Sequence, residues 1–259
     1  MSDHFIEFRN VSKAFDEHVV LDDVSFHVDQ GQTCVILGRS GVGKSVALKH
    51  ILGFLKADSG QIIVAGEDIT GWSEKQMAAV RRRVTMVFQS GALFDSLTVA
   101  ENVAYPLASR SDQDGGGLDS DQIDRRVTEL LEMLEVGEYA DRLPSELSTG
   151  MRRAVAIARA LAQEPEAILY DEPTTMVDPI MAGHVGDLIR KLKDVFHKTS
   201  MVVTHDTHLA KKLADSVVFL HEGRVAFFGP WSDFENSPDP FLRNFLLQDA
   251  LVPALDQTV

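Results

Sequence analysis

A chain of 259 residues with 44% hydrophobic content can build one large domain or two small ones around a real apolar core. A net charge of -14 and a pI near 5.0 exclude wrapping the nucleic-acid backbone, which takes a basic surface to displace counterions, so nucleic acid is not an expected partner. The single cysteine, Cys34, excludes an intramolecular disulfide, and no run of about 18 apolar residues offers a membrane-spanning helix.

The start, Met1-Ser2-Asp3-His4, lacks a charged segment followed by an apolar stretch, so service to a membrane is expected from the cytoplasmic side, through a partner. Residues 5–8 and 24–28 alternate apolar with polar, as half-buried antiparallel strands do, around a polar bend at Asp16-Glu17-His18. Residues 33–37 are a continuous apolar run, the pattern of a strand covered on both faces, and Cys34 reads as its buried thiol. A helix follows, with Val46, Leu48, Ile51, Leu52 and Leu55 at helical spacing and Gly53 as its weak point. Residues 62–64 and 84–88 look like further strands, and the intervening Arg81-Arg82-Arg83 like a solvated helix face.

Residues 109–120 carry Asp-Gln-Asp-Gly-Gly-Gly and predict an exposed loop between helices. Helical periodicity occupies 123–134 and 152–161, and Arg152-Arg153 is a second basic cluster able to meet phosphate or an acidic partner. Strand-like runs return at 167–170, 200–204 and 217–220, with a helix-like stretch at 179–196. Strands alternating with helices predict an α/β fold with a mainly parallel sheet, an antiparallel N-terminal β part and an inserted helical lobe around residues 90–160.

The chemistry begins where the 33–37 strand meets its helix. Gly38-Arg39-Ser40-Gly41-Val42-Gly43-Lys44-Ser45 matches the P-loop pattern in full, and Val46 opens the helix behind it. The glycines let successive backbone N–H groups turn toward one anion. Lys44 can reach the outer phosphates, Ser45 can offer its hydroxyl to Mg²⁺, and the helix N-terminus adds its positive end. A P-loop needs a further carboxylate for the metal and a group to orient water. Ala167-Ile168-Leu169-Tyr170 is an apolar strand ending in Asp171, a metal carboxylate, and Glu172 beside it is the candidate general base. Met86-Val87-Phe88-Gln89 and Val202-Val203-Thr204-His205 are apolar strands that also end in groups able to bond a γ-phosphate, water or metal.

Leu147-Ser148-Thr149-Gly150-Met151 precedes the Asp171 strand, and with it the chain resembles an ATP-binding cassette (ABC) ATPase over nearly its full length. The resemblance implies one ABC ATPase domain over residues 1–237, a helical subdomain at about 90–160 inserted in a RecA-like core, and a protein-contact tail at 238–259. It implies ATP and Mg²⁺ as cofactors and a head-to-tail homodimer in which Ser148 and Gly150 meet phosphate held by the opposite subunit. Ser45, Gln89 and Asp171 would organise Mg²⁺, Glu172 activate water and His205 sense the γ-phosphate. Ser148 or Thr149 reads equally as an ordinary helix N-cap. Thr149 and Met151 depart from the commonest signature, and a positive φ at Thr149 would cost on the order of 1 kcal/mol. In Thr175-Met176-Val177-Asp178, Asp178 keeps the acidic group expected to cross the dimer interface, while Thr175 stands near the place of the usual serine. Phe15 stands where such ATPases stack an aromatic on adenine; a core role competes.

Gly91-Ala92-Leu93-Phe94-Asp95-Ser96-Leu97-Thr98-Val99, Glu101-Asn102-Val103-Ala104-Tyr105-Pro106-Leu107, Met151 and Asp239-Pro240-Phe241-Leu242-Arg243-Asn244-Phe245-Leu246 resemble the ATPases of Mla/Mce-type lipid transporters. That resemblance implies a peripheral position on the cytoplasmic side of the inner membrane. The partners it implies are integral-membrane permease subunits, a periplasmic lipid-binding Mce-domain protein and a small accessory subunit. Another importer, of amino acids or other small molecules, is the competing reading. A soluble ABC protein acting on DNA or ribosomes would carry a coiled-coil or zinc insertion or a second cassette, and a non-hydrolysing cassette would lack Lys44, Asp171, Glu172 or His205. Phe94, Leu97, Val99 and Tyr105 would line the surface that receives the permease, or a plain subdomain core. Apolar residues from Phe241 to Leu251 predict that the tail docks on its own domain or on a neighbouring subunit.

Overall fold

The structure, a computed structural model, describes residues 4–114 and 118–251. In chain order the strands are β1 (His4–Phe15), β2 (His18–Asp29), β3 (Thr33–Leu37), β4 (Ser59–Val64), β5 (Glu67–Asp68), β6 (Val84–Val87), β7 (Ala167–Asp171), β8 (Thr199–Val203), β9 (Ser216–His221) and β10 (Arg224–Pro230). The helices are α1 (Lys44–Ile51), α2 (Glu74–Arg83), α3 (Val99–Asp114), α4 (Ser120–Met133), α5 (Thr149–Ala162), α6 (Pro179–Phe196), α7 (Thr207–Leu213), α8 (Trp231–Glu235) and α9 (Pro240–Leu251). Contacts divide the chain into two compact units, Met1–Glu74 with Thr199–Val259, and Lys75–Lys198.

In the first unit an antiparallel sheet runs β2-β1-β4-β5. Its core face is written in the alternation of Ile6, Phe8 and Val11 on β1 with Val24, Phe26 and Val28 on β2, all buried. A second group runs β10-β9-β3-β8, in which β3 is parallel to both β8 and β9 while β10 returns antiparallel to β9. All five residues of β3 are buried, which is why its apolar run does not alternate, and burial pushes the Cys34 thiol up to about 12. Helix α1 stops at Ile51, short of the expected Leu55, with Gly53 at φ 68 just beyond it. Helix α9 docks on β9: Phe245 meets the Phe219 ring edge-on at 4.7 Å, and Leu242 is buried. Residues 252–259 of the tail lie outside the described residues.

In the second unit β6 and β7 pair in parallel, and α2 to α6 supply the rest. The polar stretch expected as a loop over residues 109–120 is instead helical as far as Asp114. Val99, Val103 and Leu107, spaced four apart, bury one stripe of α3, and that packing carries the backbone on into residues whose composition alone signals a loop. Residues 115–117 lie outside the described residues, and α4 starts again at Ser120 behind a capping box of Asp119 and Gln122.

Candidate functional site

The P-loop residues sit where β3 runs out. Gly43 has φ 103 and a Cβ there would lie 2.8 Å from the Val20 carbonyl oxygen, so only glycine fits; at Gly38, φ 153, a Cβ would lie 2.6 Å from the Leu220 carbonyl oxygen. Gly43 caps α1 without a side-chain hydrogen bond, so no side chain of the cap competes for the first-turn amides. Lys44 is only 5% exposed, and its Nζ donates to the carbonyls of Gly38 at 2.8 Å and Arg39 at 3.2 Å. Ser45 and Val46 are half-buried in the first turn, while Arg39, Ser40 and Gly41 are exposed and Val42 half-buried. A loop with glycine at 38, 41 and 43, a buried ammonium and a helix N-terminus fit a polyphosphate. A small cavity of about 20 Å³ adjoins Arg39 and Val42 on the flank that Phe241 and Phe245 of α9 cover.

His205 leaves the same end of the neighbouring strand. Ile36 of β3 pairs with Val203 of β8, and Thr204 N–H donates to the Ile36 carbonyl at 3.1 Å, so the chain turns out of both strands together. Carboxyl ends of parallel strands are where open α/β sheets bind ligands. His205 is exposed there, and Asp206 caps α7 by accepting from Leu209 N at 2.9 Å. Phe15 ends β1 with its ring 42% exposed, outside the core, and Lys13 Nζ lies 5.5 Å from its centroid.

The second unit gathers the other group. Val87 of β6 pairs with Tyr170 of β7, so Gln89, exposed two residues beyond β6, and the Asp171-Glu172 pair emerge from the same end of adjacent strands. Asp171 is buried at the tip of β7. Glu172 adopts φ 47, a left-handed conformation that costs a non-glycine residue on the order of 1 kcal/mol, and its Oε2 accepts from Thr175 Oγ1 at 2.9 Å. Thr175 therefore touches Glu172 itself. The hard oxygen donors of Ser45, Gln89 and Asp171 are chemically suited to Mg²⁺.

At the signature, Ser148 is the N-cap of α5, accepting from Met151 N at 3.2 Å. Thr149 is the first helical residue and has no positive φ, so the strain considered from sequence does not arise; its hydroxyl accepts from Arg152 Nη2 at 3.0 Å. Gly150 is buried against α6, where a Cβ would meet Met181 Cε at 2.6 Å and Cβ at 3.2 Å. Asp178 caps α6 by accepting from Met181 N at 3.0 Å, and Met176, at φ 61, points outward 86% exposed.

Two residues escaped the sequence reading of the site. Arg153, read there as half of a basic cluster for phosphate or an acidic partner, is 4% exposed. Its Nη1 donates to the Phe88 carbonyl at 3.1 Å and its Nη2 to the Thr175 carbonyl at 3.4 Å, tying the residue before Gln89 to the residue that holds Glu172. Burial, and then the charge of Arg152, lower its pKa. Asn102, fully buried, clamps the loop before α3: it accepts from Phe94 N at 2.8 Å and donates to the carbonyls of Phe94, Leu97 and Thr98 at 3.0–3.1 Å. That loop presents Phe94 to solvent beside the exposed Tyr105 of α3, ring centroids 4.7 Å apart, while Val99 joins the core. Arg83, the third residue of the other basic cluster, forms a double hydrogen bond with Glu166 at 2.5 and 3.0 Å.

A protein-family model described as ABC transporter matches residues 21–175. The chain is 40% identical over 242 residues to a sulfate/thiosulfate import ATP-binding protein of Cucumis sativus, covering 93% of this chain and 67% of that one. It is 36% identical over 252 residues to the intermembrane phospholipid transport system ATP-binding protein MlaF of Escherichia coli strain K12, covering 96% and 92%. It also superposes, with a TM-score of 0.78 and 31% identity over 87% of this chain and 98% of the other, on a dimeric ATP-binding cassette solved in a post-hydrolysis state bound to ADP and Pi. A family match spanning well over half of the residues, joined to identities of this size along nearly the whole length, shows that the chain belongs to the ABC transporter family, as an ATP-hydrolysing subunit.

Proposed function

We propose that this subunit works as a head-to-tail homodimer on the cytoplasmic face of the inner membrane, closing on ATP and reopening after hydrolysis to drive a permease that moves phospholipid or another hydrophobic lipid across the cell envelope. The observation that carries the clamp is the start of α5: Ser148 and Gly150 open a helix whose positive end suits a phosphate, and this chain already has its own phosphate seat at residues 38–46. The dimeric ATP-binding cassette it resembles supports the same arrangement. The working domain is taken as residues 1–237, with the helical lobe near 90–160 and the tail from 238 as a protein-contact segment.

Lys44 and the loop amides hold the phosphates, Phe15 supports adenine, and Ser148, Gly150 and Asp178 serve the site of the opposite subunit. Ser45, Gln89 and Asp171 would hold Mg²⁺, which supplies charge neutralisation on the phosphate oxygens. Glu172 takes the proton from the attacking water, a contribution of typically 10²–10⁴ in rate, and His205 contacts the γ-phosphate from the end of β8. Thr175, whose hydroxyl donates to Glu172 Oε2, positions the carboxylate for that role.

Phe94, exposed on the loop fixed by Asn102, and Tyr105, exposed on α3 beside it, are the surface proposed for the permease. No helix among the described residues is long and apolar enough to cross a membrane. The likeness to the phospholipid transport protein supports the lipid reading, and a periplasmic Mce-domain protein and a small accessory subunit are proposed as its further partners. A small-molecule importer is the second reading, favoured by the 40% identity to the sulfate/thiosulfate protein. Affinity isolation of the tagged chain from detergent-solubilised membranes, with identification of the co-purifying proteins and lipids, tests the choice. Recovery of a permease with bound phospholipid is expected, and recovery with a small-molecule binding protein would overturn the lipid reading.

A further inference from the structure

Away from the nucleotide-binding residues, His4, His27 and Asp29 meet at the open end of the β1–β2 hairpin, and a break in strand register brings them there. Phe5 and Ile6 are consecutive and both buried, which strict alternation forbids. The pairing explains it: His4 opposes Asp29 while Ile6 opposes Val28, so Phe5 is an extra residue in β1 and forms a bulge. The bulge turns His4 onto the face that already carries His27 and Asp29, two residues apart on β2. His4 Nδ1 meets Asp29 Oδ1 at 2.5 Å, the His4 and His27 rings stack with centroids 3.8 Å apart, and Phe228 of β10 backs the His27 ring edge-on at 4.9 Å. One ligand atom from each of the three lies within 4.8 Å of the others, and all three residues are half-buried.

We propose that His4, His27 and Asp29 bind one divalent transition-metal ion of the zinc class. Two imidazole nitrogens, borderline donors, joined to a single carboxylate suit zinc and disfavour Mg²⁺ and Ca²⁺, which call for shells of oxygen alone. Ligand bonds of about 2.0–2.2 Å set donor atoms roughly 3.3 Å apart in a tetrahedral site, between the 2.5 Å of the His4–Asp29 contact and the 4.8 Å within which all three ligand atoms lie, and rotation of the stacked rings would turn their nitrogens toward one ion. With neutral imidazoles the three ligands carry one negative charge toward a doubly charged ion. Glu7, opposite His27 in the pairing, has both carboxylate oxygens engaged by Arg9 at 2.8 and 2.7 Å, so it does not compete as a ligand. The half-exposed face leaves the fourth position to water. Since His4 and Asp29 are the two ends of the hairpin, the ion would clip β1 to β2.

The test uses the full chain, freed of any affinity tag and stripped with chelator, titrated with zinc chloride in buffer without nucleotide or Mg²⁺ by isothermal calorimetry, with the melting temperature recorded alongside. One zinc per chain and a higher melting temperature are expected. His27→Ala and the near-isosteric Asp29→Asn should each weaken binding by about tenfold or more, while circular dichroism and Mg²⁺-dependent ATP turnover stay at wild-type levels. Cobalt chloride, whose visible absorption reports nitrogen and oxygen ligation, gives a second readout that both variants should abolish. Absence of zinc uptake, or uptake undiminished in a His4→Ala/His27→Ala/Asp29→Asn chain, which would signal dispersed surface histidines only, overturns the proposal.

Discussion

Arg153 carries a charge into the interior of the Lys75–Lys198 unit with carbonyls, and no carboxylate, as its hydrogen-bond acceptors; its Nε is a buried donor without a partner. An unsatisfied buried donor costs about 1–3 kcal/mol, so this side chain is a poor stabiliser of its own fold. Its worth lies in what it connects, Phe88 next to Gln89 and Thr175 next to Glu172. Arg153→Met, which keeps the volume and removes the charge, should therefore shift the melting temperature by no more than a few degrees yet lower ATP turnover by roughly tenfold. Arg153→Lys should recover part of the loss, and unchanged turnover in Arg153→Met would remove this role. Residues 38–45 could be read directly from the sequence because a P-loop is contiguous. Arg153 could not, since its acceptors lie 65 and 22 residues away in the chain.

Among the elements, α1 joins nucleotide binding to stability. His50, in its last turn, is 1% exposed; Nδ1 donates to the Val46 carbonyl at 2.7 Å and Nε2 has no partner. Burial is the main reason that its pKa is lowered from the usual value of about 6.5. The folded chain thus holds His50 neutral while the unfolded chain takes a proton near pH 6.5. Between the two pKa values the unfolded state binds more protons, so stability falls as the pH drops below about 6.5 and is unaffected well above it. The melting temperature should decline between pH 7.5 and 5.5, and His50→Leu, whatever its pH-independent cost from the lost Val46 bond, should flatten that decline. A slope as steep as wild type would assign it to other groups. The same element scale shows where periodicity misleads: 179–196 matches α6 to the residue, whereas α3 runs on to Asp114 through residues that read as loop. Burial of Val99, Val103 and Leu107 outweighs local composition there.

For the whole molecule, the proposed function turns on association, because phosphate contacts from Ser148 and Gly150 are assigned to the opposite copy. Glu172→Gln, isosteric but unable to accept the proton, should bind ATP, accumulate as a dimer in analytical ultracentrifugation and lose steady-state turnover. Normal turnover in that variant would take Glu172 out of its role. The net charge of -14 makes two copies repel, so the ATP-bound dimer should tighten as salt screens that repulsion.

By itself the sequence determined the phosphate-binding loop, the carboxylates at the end of the 167–170 run, the signature before them and the family they imply. Each is a short contiguous pattern whose backbone geometry follows from its own residues. Only the tertiary structure decided that Ser148 rather than Thr149 caps α5 and that Thr149 is unstrained. It alone decided that Arg153 is buried between two loops, that Asn102 fixes the loop carrying Phe94, and that a bulge at Phe5 joins His4 to His27 and Asp29. These depend on register and on partners distant in the chain, and a one-residue slip in pairing reverses which face a side chain occupies.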